Sequence, residues 1–158
     1  MNTFHKNIKN NLAAITQRGA AAVEFALLLI VLLIIVAGIV EFGRTFWYHD
    51  ALSKATRDGA RFLSNERATS TVGLDASLKN EAIAMVVNAA DLAKVPDFTG
   101  ADVAVSCEPN CDAPIYVTVS INAYPISIGR WIPFFVPNDG VTSWNVTLSP
   151  STTMRYMR

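Results

Sequence analysis

The sequence predicts an α+β fold: a long N-terminal transmembrane helix continuing into a head with a second helix and a small antiparallel sheet. Three observations predict it. Residues 25–40 run for sixteen positions without a polar side chain. Residues 75–94 open on a capping Asp and carry apolar positions at helical spacing. Residues 115–122 alternate strictly between apolar and polar or aromatic side chains, the period of a strand. The whole chain has 158 residues, enough for one domain and an appendage. Thirteen basic residues balance thirteen acidic ones, which excludes the bulk basic surface of a nucleic-acid partner.

Residues 1–19 are polar and carry Lys6, Lys9 and Arg18 without an acidic residue. Residues 20–40 follow as an apolar helix of roughly 31 Å, enough to cross a bilayer core. The positive flank places the N-terminus in the cytoplasm and the head outside, where disulfides are permitted. The apolar run exceeds the 7–15 residues of a signal-peptide core, and no A-x-A end follows it. A membrane anchor is therefore the better reading. Glu24 is the one charge at the edge of the block. A carboxylate there costs a few kcal/mol in lipid unless it lies near the interface or meets a positive partner. A chain cut after Gly19 would begin at Ala20, and its free α-amino group would supply that partner within one subunit or between neighbours.

These residues carry a resemblance. Arg18-Gly19-Ala20-Ala21-Ala22-Val23-Glu24-Phe25 resembles a prepilin peptidase site, with a basic leader ending in Gly and a Glu fifth in the mature chain. Gly38-Ile39-Val40-Glu41-Phe42-Gly43-Arg44 and Ala55-Thr56-Arg57-Asp58-Gly59-Ala60-Arg61 resemble the E-F-G-R and A-x-R-x-G-A-R elements of TadE-like minor pseudopilins. Thr152-Thr153-Met154-Arg155 is similar to the end of that family. The likeness is strong over residues 18–63, weak at the C-terminus and general between. It implies a pilin-like fold and cleavage between Gly19 and Ala20 by a prepilin peptidase. It also implies a register-setting role for Glu24 and Phe25. The partners it implies are other pilins and pseudopilins, an inner-membrane pilus assembly platform and membrane lipid. The function it implies is assembly of a tight-adherence (Tad/Flp) pilus for adhesion and biofilm formation. More than a hundred residues follow the apolar helix, unlike the short major pilins of such systems.

The organisation expected is a cleaved leader over residues 1–19, a transmembrane helix over 20–40, its continuation over 41–63 and an α+β head over 64–158. No Pro interrupts residues 41–63, and Tyr48, Leu52, Ala55, Gly59 and Phe62 step by four and three. This stripe is a seam against the protein's own sheet or a face for neighbouring helices. Asp50, Lys54 and Asp58 form two i,i+4 pairs of opposite charge. Phe42, Phe46, Trp47 and Tyr48 suit an interfacial aromatic belt. Asp75 caps the second helix, whose expected buried face is Leu78, Ala82, Met85, Val86 and Ala89. Lys94-Val95-Pro96-Asp97 ends it.

Strands are expected around Val103 and Val105, over Ile115, Val117, Val119 and Ile121, and over residues 141–148 with Trp144, Val146 and Leu148 on one face. Cys107-Glu108-Pro109-Asn110-Cys111 suits a turn. A disulfide between Cys107 and Cys111 would staple a hairpin, near the low end of roughly 2–4 kcal/mol for so short a loop. A metal site would need two further ligands, and a reduced pair is the third option. Residues 124–140 are apolar yet broken by prolines. They read as a loop over the core, or as a docking patch presenting Trp131, Ile132, Phe134 and Phe135. Asn145-Val146-Thr147 matches a glycosylation sequon inside an expected strand.

No catalytic, cofactor or metal site is expected. His49 and Asp50 are adjacent on a helix and do not face each other. No G-x-S-x-G, H-E-x-x-H or phosphate-binding glycine loop occurs. The reading from another functional class is an uncleaved single-pass anchor bearing a small binding domain, an accessory factor of an export complex.

Overall fold

The computed structural model describes residues 2–65, 73–128 and 144–157, with side chains from Gly19 onward except that of Trp144. Helix α1 spans Asn2–Asn65 and helix α2 spans Ala76–Leu92. A 3-10 turn at Gly100–Asp102 leads, among the described residues, into five strands: β1 (Val103–Glu108), β2 (Tyr116–Ile121), β3 (Tyr124–Ile128), β4 (Trp144–Leu148) and β5 (Ser151–Arg155). The chain divides into two compact units, Met1–Val40 and Glu41–Arg158. The fold is α+β, as expected.

The first unit is helix alone. Its apolar side chains from Val23 to Val40 are exposed, with only Ala37 partly covered. The second unit holds a single core. The α1 stripe of Leu52, Ala55, Gly59, Ala60 and Leu63 is buried, flanked by half-buried Tyr48 and Phe62. The stripe therefore forms a seam against the protein's own head. It meets Ala82, Val86 and Ala90 of α2 and Val117, Val119 and Ile121 of β2 in the same core. Fully buried side chains such as Leu52, Leu63 and Val119 each contribute about 1.5–3 kcal/mol of apolar burial.

Asp75 caps α2: its Oδ1 accepts from the Ala76 N–H at 2.6 Å, and its Oδ2 accepts from the Ser77 hydroxyl at 3.0 Å. The helix ends in a Schellman arrangement. Val95 N–H donates to the Ala90 carbonyl at 3.0 Å and Lys94 N–H to that of Asp91 at 2.9 Å. Val95 then turns its side chain into the core. Lys94 occupies the left-handed position, φ 59°, usually given to glycine. The buried face differs from the one expected: Met85 is exposed and Ala90 is buried. The buried residues Ala82, Val86 and Ala90 step by four, so one narrow row faces the core and Met85 lies off it.

All strand pairings are antiparallel. One sheet has the order β1-β2-β5 and a second pairs β3 with β4. Val117, Val119 and Ile121 point inward on β2, as their alternation predicts. Ile115 precedes the strand and is half exposed, since its register position lies beyond the last β1 partner pair, Glu108 and Tyr116. One expectation is corrected here. Residues 124–128 form strand β3 rather than a loop, because Tyr124 and Ile126 alternate inward and Pro125 takes an outward position. Val146 and Leu148 stand opposite Ile126 and Tyr124 and so share one face of β4, as expected, with Val146 38% exposed and Leu148 buried. Strand β5 was not foreseen, because its Ser-Thr-Thr-Met-Arg sequence has no apolar alternation.

Gly73 makes a close backbone approach. A Cβ there would lie 2.0 Å from the Cys111 carbonyl oxygen. The adjacent Leu74 N–H donates to that same oxygen at 2.6 Å. Only glycine lets the segment before α2 lie against the β1–β2 connection.

A residue with a Cβ at φ 59° is strained by roughly 1–2 kcal/mol. Lys94→Gly is therefore expected to stabilise the head by about 0.5–1 kcal/mol, after glycine's larger loss of chain entropy is subtracted. Thermal unfolding followed by near-ultraviolet circular dichroism checks this, and a lowered Tm would refute it.

Candidate functional site

The residues singled out in the sequence fall into two regions. Gly19, Ala20, Glu24 and Phe25 lie within α1 and are exposed. A Cβ at Gly19 would meet nothing within 4 Å. Ala20 and Glu24 stand four apart, on one face of the helix. Beyond them the large side chains are exposed at consecutive positions, Leu27, Leu28, Leu29 and Ile30 among them. The segment from Gly19 is long and apolar enough to cross a membrane, and none of its most apolar window is buried. A core helix of a water-soluble domain would bury such a surface; left exposed, it suits a membrane-anchoring helix.

The second region lies in the head unit. Glu41 and Arg44 pair across one turn, with Arg44 Nη2 2.7 Å from Glu41 Oε2. Glu41 is only 3% exposed. Thr45 adds a hydroxyl bond to the Glu41 carbonyl at 3.0 Å. Arg44 and Tyr48 also line a cavity of about 710 Å³ with Pro96, Asp97, Asp102 and Tyr124. Asp102 is held in place by Thr99, whose N–H and hydroxyl both donate to its Oδ2, at 2.8 and 3.0 Å.

Tyr124 is buried under the edge of Phe98, ring centroids 5.3 Å apart, and donates its hydroxyl to the Pro96 carbonyl. Burial first, then the charges of Asp97 and Asp102, raise its pKa above the ordinary 10.0. A phenol held protonated acts as a hydrogen-bond donor, not as a base or nucleophile. The Ser127 hydroxyl donates to the Asn145 side-chain oxygen at 3.1 Å and so has no activating base there. Among the described residues, no three His, Cys, Asp or Glu side chains converge to hold a metal ion.

Cys107 and Cys111 are bonded to each other, with Cα atoms 5.0 Å apart. The bridge joins the end of β1 to the loop that rests on Gly73. Trp131, Ile132, Phe134 and Phe135, the expected docking patch, lie outside the described residues. Sequence reasoning missed the burial of Glu41 and the inward side chain of Tyr124. The signal for Tyr124 was present in the alternation of Tyr124, Ile126 and Ile128, masked by Pro125.

The family model described as TadE-like protein matches residues 19–61. The match begins at Gly19, includes Glu24 and the Glu41–Arg44 pair, and ends two residues past Gly59. It covers a little over a quarter of the chain, and over that stretch the chain is similar to TadE-like proteins, where the motifs placed the likeness. No curated protein and no solved structure matched the chain.

The raised pKa gives a pH dependence with a definite sign. The folded head holds the Tyr124 proton more tightly than the unfolded chain. This stability is full below the unfolded value, about pH 10, and is lost as pH rises through the folded value. Tyr124→Phe is expected to cost about 0.5–1.5 kcal/mol at neutral pH, the net worth of the bond to the Pro96 carbonyl. The gap between variant and wild type should then narrow above about pH 10. Urea unfolding at a series of pH values measures both, and a gap that widens at alkaline pH would count against the assignment.

Proposed function

We propose that the protein is a minor pseudopilin of a Tad/Flp-type pilus system. In this reading it is made as a precursor, cut between Gly19 and Ala20 by a prepilin peptidase, and used in pilus assembly. Adhesion and biofilm formation are the processes such a pilus serves. The observation that carries the reading is the TadE-like match over residues 19–61, which opens on an apolar stretch through Val40 with no buried side chain. Its topology would be single-pass in the inner membrane, N-terminus cytoplasmic and head periplasmic, which the basic residues Lys6, Lys9 and Arg18 support. Its partners would be the peptidase, other pilins and pseudopilins, the inner-membrane platform and lipid. The role is structural rather than enzymatic.

The physical chemistry of a cut at Gly19 is favourable. Removing residues 1–19 takes away Lys6, Lys9 and Arg18 and leaves a net charge of −3. Ala20 would then begin the helix with an α-amino group, and Glu24 would lie one turn further on. A carboxylate near a helix N-terminus interacts favourably with the unsatisfied N–H groups there, by about 0.3–1 kcal/mol at an exposed site. In lipid, pairing with the amino group also offsets the cost of the isolated charge.

Intact mass and N-terminal sequencing of the membrane fraction test the reading. A chain beginning at Ala20 only when the prepilin peptidase is present is the expected result. A chain beginning at Met1 with and without the peptidase would instead support the uncleaved anchor of an export complex. Glu24→Val is expected to leave membrane insertion intact while reducing piliation severely. Normal pilus yield from that variant, counted by electron microscopy, would sink the proposed pairing.

A further inference from the structure

We propose that the first two turns of the head unit, residues 41–47, seat in the headgroup layer of the membrane, with Phe42, Phe46 and Trp47 as its contact side chains. The inference rests on the membrane-anchor reading and names the surface that the base of the head occupies. Residues 20–40 supply roughly 31 Å of helix, which uses up a hydrocarbon core of about 30 Å. The two headgroup layers bring a bilayer to about 40–45 Å, leaving some 5–8 Å on each side. The seven residues from Glu41 to Trp47 rise about 10 Å, so they must pass through that layer.

Their side chains suit it. Phe42 is 72% exposed, Phe46 64% and Trp47 61%, although each is large and apolar. Phe42 and Phe46 stack with centroids 6.5 Å apart, so they form a contiguous surface rather than scattered residues. Trp favours the interface because its ring is apolar and its indole N–H still finds a polar partner there. The charges of these turns neutralise each other, since buried Glu41 is paired with Arg44, whose side chain is 25% exposed. Charge next reaches solvent at the exposed pair of Asp50 and Lys54, 2.6 Å apart, one turn beyond the aromatic residues. Because Glu41 and Arg44 cancel, the surface carries no net charge and fits a zwitterionic headgroup layer without anionic lipid.

The test uses the full chain in phosphatidylcholine vesicles. Trp131→Phe with Trp144→Phe leaves Trp47 as the single reporter, and Tyr replaces Phe at both positions if circular dichroism shows the head unfolded. A second variant adds Trp47→Phe and Leu32→Trp, which moves the reporter to mid-span. Lipids brominated near the glycerol end of their chains, or near the chain tips, quench indole at those depths. Trp47 is expected to lose emission to the shallow bromines more than to the deep ones, and Leu32→Trp the reverse. If the Leu32→Trp reporter is quenched while Trp47 is not, the proposal is overturned and the anchor stands. Trp47 shielded from both bromines and aqueous acrylamide would place another protein chain on the patch and also overturn it. If neither reporter is quenched, the anchor reading fails and the proposal fails with it.

Discussion

The head depends on how closely α1 approaches its neighbours at Gly59. A Cβ at that position would stand 3.2 Å from Val86 Cγ2, 3.6 Å from the Ala82 carbonyl oxygen and 3.7 Å from Val119 Cγ1. One backbone position thus touches both α2 and β2. Glycine in a helix interior costs about 1 kcal/mol relative to alanine, so local propensity argues against it here. The neighbours explain it: Ala55, Thr56 and Ala60 are also small and buried, and together they make a shallow groove in α1. Val86 and Val119 fill that groove. A larger side chain would separate α2 from β2 and loosen the core that buries Leu52 and Leu63.

A second set of contacts fixes what apolar packing leaves free to slide. Thr56 and Ser64 are buried polar residues eight apart on α1, hence on one face. Thr56 shares a hydroxyl contact of 3.2 Å with Thr152, and the Ser64 hydroxyl donates to the Arg155 carbonyl at 2.5 Å. Met157 N–H returns a bond to the Ser64 carbonyl at 3.0 Å, and Tyr156 N–H reaches the Ile115 carbonyl at 2.8 Å. Hydrogen bonds are directional where dispersion is not, so the first three set the position of β5 along α1, and the fourth ties its end to the residue before β2. Thr118 and Thr153, opposite each other on β2 and β5, add a cross-strand hydroxyl contact of 2.8 Å. The C-terminal strand is therefore held by polar register as much as by burial.

That division explains what could be read from the sequence. The α1 stripe and β2 follow apolar periodicity, and Leu52, Ala55, Gly59, Val117, Val119 and Ile121 were legible from it, while Ala60, Leu63 and the exposure of Ile115 were not. The Asp75 cap was legible because a capping side chain acts within its own turn. The residues that escaped notice act through partners distant in sequence. Thr152 is placed by Thr56, Glu41 is buried in its pair with Arg44, and Ala90 replaces Met85 because a narrow row, not a broad face, meets the core. Tyr124 was obscured by a proline that tolerates an outward strand position. Of the candidate site, the exposed apolar run and Glu24 were plain in composition. The cavity beside Arg44 was not, since its walls come from α1, the segment after α2, the 3-10 turn and β3.

The composition of α1 changes where its surroundings must change. Through Val40 its exposed surface is apolar at successive positions, which suits a solvent that is apolar on all sides. From Leu52 to Leu63 buried residues recur at helical spacing, with Lys54, Arg57, Asp58 and Arg61 exposed between them, which suits a helix with water on one side. Between these stretches a charged residue must be neither bare in lipid nor unpaired in the core. The Glu41–Arg44 pair meets both conditions, with the carboxylate buried and the guanidinium one turn away. A buried ion pair adds little net stability over apolar residues of similar size, whereas removing one partner is costly. The pair therefore serves placement rather than strength: it lets a continuous helix pass from an all-round apolar surface to a one-sided one without leaving an unpaired charge at the transition.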